Sequence, residues 1–449
     1  MKMIYNVKDK PKFGQLIVFA FQQLLAIMAA TIAVPMIVGN GMSTSAALFG
    51  AGVGTLVYVL FTKAKSPVFL GSSFAFLGSM ATAFAGGVAA GLGYIGLILG
   101  AIFAGLVYVV LAIIIKFAGV KWISKIMPAV VIGPTVAIIG LSLAGNAVGD
   151  LQTSNIESGS TYVAIICGLV TLAVTMLCSV FGKKMAKLIP FIIGILAGYA
   201  VATCFYFIGN ATGNDALKVI NYAALTDNFA NISFSSFIAL PDFSFIKAFG
   251  AFGELNGAYV GKIALAFIPV AFVVFAEHIA DHKNLSSIIE HDLLEDPGLS
   301  RTLLGDGVGS MVGAFFGGCP NTTYGESIGC VAITKNASVR TIVVTACEAI
   351  LISFIAPFVA FLSTIPSCVM GGVCIALYGF IAVSGLKMLQ KVNLDDNRNL
   401  FTASVILIAG VGGLSLTFGE IHLTTVACAL ILGILTNVML GKKADKSKK

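Results

Sequence analysis

Long apolar stretches recur along the chain, separated by short polar or charged breaks. A helix needs about 20 apolar residues to cross a bilayer, and fourteen stretches of roughly that kind can be read. The first seven cover 14–38, 45–61, 67–85, 93–115, 126–144, 162–181 and 188–208. The second seven cover 263–282, 303–317, 319–333, 341–362, 366–384, 400–418 and 422–440. Stretches nine and ten are too short for ordinary crossings. The predicted fold class is an all-α polytopic membrane protein of fourteen transmembrane segments.

Composition agrees. Of 449 residues, 58% are hydrophobic and only 10% charged, and the mean hydropathy is +0.99. Soluble globular chains carry about 25% charged residues. A soluble enzyme, a nucleic-acid binder and a disordered chain are therefore excluded, and the lipid bilayer is the expected partner. The 50 glycines suit helices that pack closely or break in a membrane. Nine cysteines form no C-x-x-C pair, and the four histidines add no metal-ligand spacing. Neither a disulfide framework nor a metal or other cofactor is expected.

The net charge of +7 changes the picture only through its distribution, because cations mark cytoplasmic loops. With the N-terminus inside, the three outside cations are Lys218, Lys247 and Lys262, which leaves 24 of the 27 Lys and Arg residues inside. Adding or removing one span would reverse every later loop and destroy this bias. Both termini are expected to be cytoplasmic.

The long external segment, 209–261, divides the spans seven and seven. Seven is odd, so any repeat must be inverted. Pro128-Ala-Val-Val-Ile-Gly133 resembles Pro366-Ser-Cys-Val-Met-Gly371, Gln22-Gln23 matches Glu277-His278, and Gly71-Ser-Ser-Phe74-Ala-Phe76 matches Asn321-Thr-Thr-Tyr324-Gly-Glu326. The offsets of 238, 255 and 250 preserve the order. Inverted repeats place a secondary transporter's site at their interface, near the midplane.

Ionisable residues inside spans are expensive and therefore mark candidates. Glu277 lies in Val273-Val-Phe-Ala-Glu277-His-Ile-Ala-Asp281-His282, and Asp281, four residues on, shares its helix face. The alternative for Glu277 is a carboxylate satisfied by hydroxyls, or a bend stabiliser. Glu326 follows Gly317-Gly-Cys-Pro-Asn-Thr-Thr-Tyr-Gly325, a poor start for a membrane helix. The run reads as a short extended strand, with a helix beginning near Gly325 or Glu326. Pro67 and Gly71-Ser-Ser-Phe74 repeat the design in span three. Irregular backbone at membrane depth is tolerated where protein covers it or a cavity uses its polar groups. Two such breaks at matching positions point to a binding site, with helix N-termini offering N–H groups. A shared fold element without ligand is the alternative.

Phe74 and Tyr324, equivalent in the repeat, could present ring faces to a flat ligand, a contact worth about 1–3 kcal/mol in base-stacking sites. Carboxylates, backbone groups and aromatics together suit a small planar solute rich in N–H and C=O groups. A nucleobase fits better than a sugar. Carboxylates sharing a low-dielectric site also suit a protonation switch. Glu348 is a further intramembrane acid, with functional and structural readings both open. Asp306 reads as a structural acid at the start of span nine, His278 as a packing or hydrogen-bonding residue, and His282 as interfacial.

These residues resemble the nucleobase:cation symporters of the nucleobase–ascorbate transporter group, and within it the bacterial uracil permeases. The likeness runs from about Pro11 to Leu440. It is carried by Gln22-Gln-Leu-Leu-Ala-Ile-Met-Ala-Ala-Thr-Ile-Ala-Val-Pro35, Leu70-Gly-Ser-Ser-Phe-Ala-Phe76, Ala276-Glu-His-Ile279, Asp296-Pro-Gly-Leu299 and, most specifically, Pro320-Asn-Thr-Thr-Tyr-Gly-Glu326. The resemblance implies short antiparallel strands in spans three and ten. It implies a core domain of 14–115 with 263–362, a gate domain of 126–208 with 366–440, and 209–261 as an external linker. Glu277 and Glu326 would hydrogen-bond the base, Phe74 would contact its ring, and Ala30, Gly325 and Tyr324 would line the pocket. Glu277 and Asp281 would couple transport to protons. Glu326, where purine-type members carry Gln, favours uracil. The chain departs from the family pattern at Asp281, a His in some uracil permeases, at Ser327, commonly Asn, and at Gln23, which replaces His. The expected function is proton-coupled uracil import across the cytoplasmic membrane, with a homodimer through the gate domain. A xanthine or uric acid symporter, or an anion transporter on the same fold, is the alternative.

Overall fold

The computed structural model describes residues 3–119, 122–183, 185–390, 392–418 and 421–444. Helices α1 (Phe13–Val38) and α2 (Thr44–Phe61) open the fold. Ser43 starts α2, its Oγ accepting from the Ala46 N–H at 3.2 Å, an N-cap of the usual kind. Strand β1 (Leu70–Ser72) and one 3-10 turn (Phe74–Phe76) lead into the short α3 (Leu77–Phe84). Then come α4 (Ala90–Ala118), α5 (Ala129–Ser142), α6 (Ala144–Leu151), α7 (Thr161–Phe181) and α8 (Pro190–Thr212). The second half holds α9 (Gly257–Ile289), α10 (Leu299–Gly317), β2 (Asn321–Thr323), α11 (Gly325–Thr334), α12 (Val339–Ile352) and α13 (Ala356–Ser363). It closes with α14 (Ser367–Leu389), α15 (Asn397–Val411), β3 (Leu416–Phe418), β4 (Ile421–Leu423) and α16 (Thr425–Ala444).

Eight helical stretches among the described residues are long and apolar enough to cross a membrane; one of them, 129–151, is α5 and α6 run together with only a break at Leu143. The protein is a polytopic helical membrane protein with two short antiparallel strand pairs.

Several expected spans differ in form. Span five is the broken pair α5–α6, and span eleven is split between α12 and α13. Helix α10 starts at Leu299, earlier than span nine, so Asp306 sits well inside it rather than at its dipole end. Spans thirteen and fourteen are α15 and α16, and the β3–β4 hairpin occupies the end of the first and the start of the second. Gly413, at φ 73°, ends α15, and Leu414-Ser-Leu-Thr417 then alternates apolar and polar residues. That period-two pattern is a strand signal which a long apolar window averages away.

The strands of the two halves find one another. Leu70 pairs with Thr323, Gly71 with Thr322 and Ser72 with Asn321. Side chains supply the backbone bonds that three residues of ladder cannot. Thr55 Oγ1 accepts from the Leu70 N–H at 2.9 Å, and Ser310 Oγ accepts from the Asn321 N–H at 2.9 Å. The Asn321 amide donates to the Gly50 carbonyl at 3.2 Å. These donors and acceptors come from α2 and α10, which cross closely. A Cβ on Gly309 would stand 2.7 Å from the Gly54 carbonyl oxygen, and one on Gly50 would overlap the Gly313 backbone. Small residues thus let two backbones approach and carry the strand pair between them.

The most extensive packing joins α2 and α4 to α10, α4 to α9 and α1 and α2 to α12; separately it joins α14 to α5, α6 and α7, α7 to α8 and α15 to α16. Segment 209–261 is folded rather than extended. It includes the helices Ala223–Ala230 and Ser244–Ala248, and the Ala239 N–H donates to the Phe354 carbonyl at 3.0 Å, beside the α12–α13 break.

Beside the start of α1, the Ile4 N–H donates to the Lys335 carbonyl at 2.8 Å and Lys65 pairs with Asp296 at 2.5 Å. At the other end Lys247 donates to the Gly41 carbonyl at 2.5 Å and Lys262 to the Ala85 carbonyl at 2.8 Å.

Replacing Gly309 with Val is expected to destabilise the purified protein by about 2 kcal/mol, the usual scale of overpacking. Gly379→Ala, a helical site with nothing within 4 Å of the added carbon, is the control. Thermal melting in detergent should separate the two; equal melting temperatures would refute the tight crossing.

Candidate functional site

The crossed strands end at two helix starts. The polypeptide leaves β2 at Tyr324 and enters α11 at Gly325, with no side chain capping its first N–H groups. Gly325 has open space where a Cβ would be, so the helix start is exposed to what lies before it. Glu326 stands in that first turn. Across from it, Ser73 leads from β1 into the turn bearing Phe74, and like Tyr324 at the N-cap of α11 it makes no side-chain capping bond.

What lies between is a cavity of about 220 Å³. Drug-sized pockets run to roughly 300–1,000 Å³, so this one suits a solute of about one ring. Glu277, Asp281 and Glu326 line it together with Phe74, Tyr324 and Gly325. Six of the seven residues singled out from sequence therefore meet at one place. Ala30 does not line it; it is buried in α1.

Each residue is held for a reason. Asp281 Oδ2 accepts from Thr323 Oγ1 at 2.7 Å, tying α9 to β2. Ser327 Oγ accepts from Gln23 Nε2 at 2.5 Å and from the Phe69 N–H at 3.1 Å, so α11 is pinned to α1 and to the segment before β1. Two of the three residues that depart from the family pattern, Gln23 and Ser327, thus bond to each other. Tyr324 Oη donates to the Ser72 carbonyl at 2.8 Å. Its ring occupies the space where Gly71 lacks a Cβ, so its first duty is to close the strand pair. The Phe74 ring meets Tyr378 of α14 edge to face, with centroids 5.5 Å apart. The Ser73 and Thr322 hydroxyls are buried at this junction without a protein partner, and both residues line the cavity.

A buried polar cluster lies behind the cavity. His278 Nδ1 is 2.6 Å from Asp306 Oδ2, and its Nε2 is 3.0 Å from Thr302 Oγ1. His282 is fully buried, not interfacial; its Nδ1–H donates to the His278 carbonyl at 2.8 Å and its Nε2 faces the Tyr58 hydroxyl at 2.7 Å. Asp306 is therefore held by His278 rather than by a helix dipole. Glu348 stands apart from the cavity on α12.

The opposite wall was not legible beforehand. Val136 and Ile139 of α5 and Phe380, Ile381 and Ser384 of α14 close it. Apolar side chains in an apolar helix carry no signal. Asn284, one turn beyond Asp281, also lines the cavity; its polar side chain was the available clue.

Two larger spaces flank the site. One of about 680 Å³ shares Asp281, Asn284, Phe380 and Ser384 with it and extends to Lys283 and Lys387. The other, of about 300 Å³, shares Phe74, Ala75 and Ile139 and extends to Asn146 and Thr424. The site thus lies between two vestibules, with Phe74, Ala75 and Ile139 on the wall towards the second.

Broken spans that pair at membrane depth, with a small acid-lined cavity between flanking vestibules, define a membrane transport protein. The chain belongs to the Permease family, which it matches over residues 14–418. It is 38% identical to a uracil permease of Bacillus caldolyticus, covering 98% of this chain and 95% of that one. It is 37% identical to a uracil permease of Bacillus subtilis (strain 168), covering 99% and 97%, and 35% identical to one of Escherichia coli (strain K12), covering 96% and 92%. Its fold is similar to the transmembrane domain of the cyanobacterium bicarbonate transporter BicA, with a TM-score of 0.63 at 13% identity, covering 96% of this chain and 100% of that one. The murine anion transporter Slc26a9 in the inward-facing state gives 0.62 at 11% identity, covering 97% and 69%.

Tyr324→Phe removes one hydrogen bond and should lower stability by about 1 kcal/mol. Gly71→Ala, which forces the ring from its seat, should cost more. The two melting temperatures in detergent test this order, and the reverse order would refute the seat.

Proposed function

We propose that the protein is a proton-coupled symporter that imports uracil across the cytoplasmic membrane by alternating access. The observation that carries this reading is the convergence of Glu277, Glu326 and the uncapped start of α11 on one small cavity. The uracil permeases among its relatives support the choice of solute.

Uracil is flat and presents N–H and C=O groups alternately around its ring. A carboxylate accepts from an N–H, and free N–H groups at a helix start donate to a C=O. Glu277 and Glu326 take the first part and the Gly325 turn the second. Phe74 lies at the ring. The cavity wall holds three carboxylates and no cation among the described residues, which favours a neutral base over an anion.

In the proposed cycle α1–α4 and α9–α13 form the core, and α5–α8 with α14–α16 form the gate. The gate turns against the core and opens the two vestibules in turn. Glu277 takes up a proton with the base, and Asp281, at the head of the larger vestibule, passes it on. A proton moving inward across 100 mV supplies about 2.3 kcal/mol, enough for about 50-fold accumulation.

Radiolabelled uracil uptake into proteoliposomes, driven by an inward proton gradient, tests this. Accumulation should be competed by uracil but not xanthine and collapsed by a protonophore. Glu326→Gln should abolish uptake with expression intact; full uptake by that variant would refute its role. Asp281→Asn should keep uracil counterflow while losing gradient-driven accumulation. Loss of both or of neither would remove Asp281 from coupling. Uptake of xanthine or of an anion in place of uracil would reassign the solute.

A further inference from the structure

A separate cavity, of about 520 Å³, shares no lining residue with the candidate site and lies between the start of α1, the turn after α2 and the start of α12. Its floor is apolar, formed by Val7, Leu16, Val339, Val343 and Val344. Its rim is cationic: Lys8, Lys63, Lys65 and Arg340.

One rim cation is already satisfied. Lys65 Nζ is 2.5 Å from Asp296 Oδ1, and the Lys65 ammonium holds that carboxyl below the usual range. Asp9, the next acid along the rim segment, has its Oδ2 taken by the Asn6 N–H at 2.7 Å. Among the described residues no ion pair joins Lys8, Lys63 or Arg340 to an acid. The turn itself is unusual. Lys63 and Ala64 stand at φ 53° and 54°, a left-handed conformation that residues with side chains seldom adopt.

The surroundings place this groove at the bilayer edge. Leu60 is 76% exposed and Phe13 79% exposed, on the last turn of α2 and the first of α1. Such apolar surface at the ends of membrane helices suits contact with lipid acyl chains. The lysines just beyond it stand at headgroup height, where each Lys or Arg attracts anionic lipid by about 1 kcal/mol.

We propose that this groove binds one anionic phospholipid, with its phosphodiester at Lys8, Lys63 and Arg340 and an acyl chain along Val7, Leu16 and Val343. Charge complementarity at the rim and the apolar floor select a lipid over a free anion. The bound lipid braces the segment that holds the far end of α11. The Ala337 N–H donates to the Tyr5 carbonyl at 2.8 Å and the Val339 N–H to the Val7 carbonyl at 3.1 Å.

Native mass spectrometry of the full chain in detergent, titrated with phosphatidylglycerol, phosphatidylcholine or inorganic phosphate, tests the assignment. Phosphatidylglycerol should give one tight adduct, phosphatidylcholine a weaker one and phosphate none. The double variant Lys63→Gln, Arg340→Gln should weaken the phosphatidylglycerol adduct roughly thirtyfold, from about fivefold per cation removed. Lys63→Arg with Arg340→Lys should retain it, which guards against simple misfolding. Unchanged phosphatidylglycerol affinity in the Gln variant, equal affinity for phosphatidylcholine, or equal capture of inorganic phosphate would each overturn the proposal.

Discussion

Everything at the centre of this protein follows from one constraint: backbone N–H and C=O groups have no water to bond at membrane depth. Each unsatisfied group there costs several kcal/mol. Two spans nevertheless abandon the helix, at Leu70–Ser72 and Asn321–Thr323, and they survive because each satisfies the other. Three paired residues are too few to hold alone. Thr55, Ser310 and Asn321 complete the bonding from within α2, α10 and β2 themselves. The glycine crossing of α2 and α10 follows, because those hydroxyls reach the strands only if the helices nearly touch.

The break also creates the chemistry. A continuous helix hides its polar backbone; an interrupted one exposes a fresh N-terminus. Placing Glu326 in the first turn of α11 sets an acid beside the N–H groups of a helix start, so acceptor and donor groups stand side by side. Thr323 extends the same logic to α9, because its hydroxyl bond fixes Asp281 against the strand. The site is thus a by-product of strand pairing as much as a set of selected side chains.

The parts visible in the sequence were those whose physics is local. Gly-Cys-Pro-Asn before Thr-Thr-Tyr cannot begin a membrane helix well, so the break at span ten was legible, and the offset of 250 between Gly71 and Asn321 tied it to span three. Glu277, Asp281 and Glu326 stood out because charge is rare in apolar surroundings. Contacts between distant elements were not legible. Nothing in an apolar stretch says that Ile139 and Phe380 face the cavity, that Ala30 is buried in α1 without lining it, or that His282 reaches Tyr58 rather than the interface. The β3–β4 hairpin was hidden for another reason: its residues are apolar enough to pass for helix, and only their period of two distinguishes them.

The wall shared by the site and the smaller vestibule is thin. Phe74, Ala75 and Ile139 touch both spaces, and the larger vestibule meets the site at Asp281. In the proposed cycle, water entering the two vestibules would bring the bulk electrical potential from each side up to that wall. Most of the membrane voltage would then fall across that wall instead of across the whole bilayer. A charge carried past that wall would cross most of the potential difference, while motions elsewhere in the helices would be electrically quiet. In that cycle the thickness of the wall formed by Phe74, Ala75 and Ile139 would set how steeply transport depends on voltage, without any change to an acid.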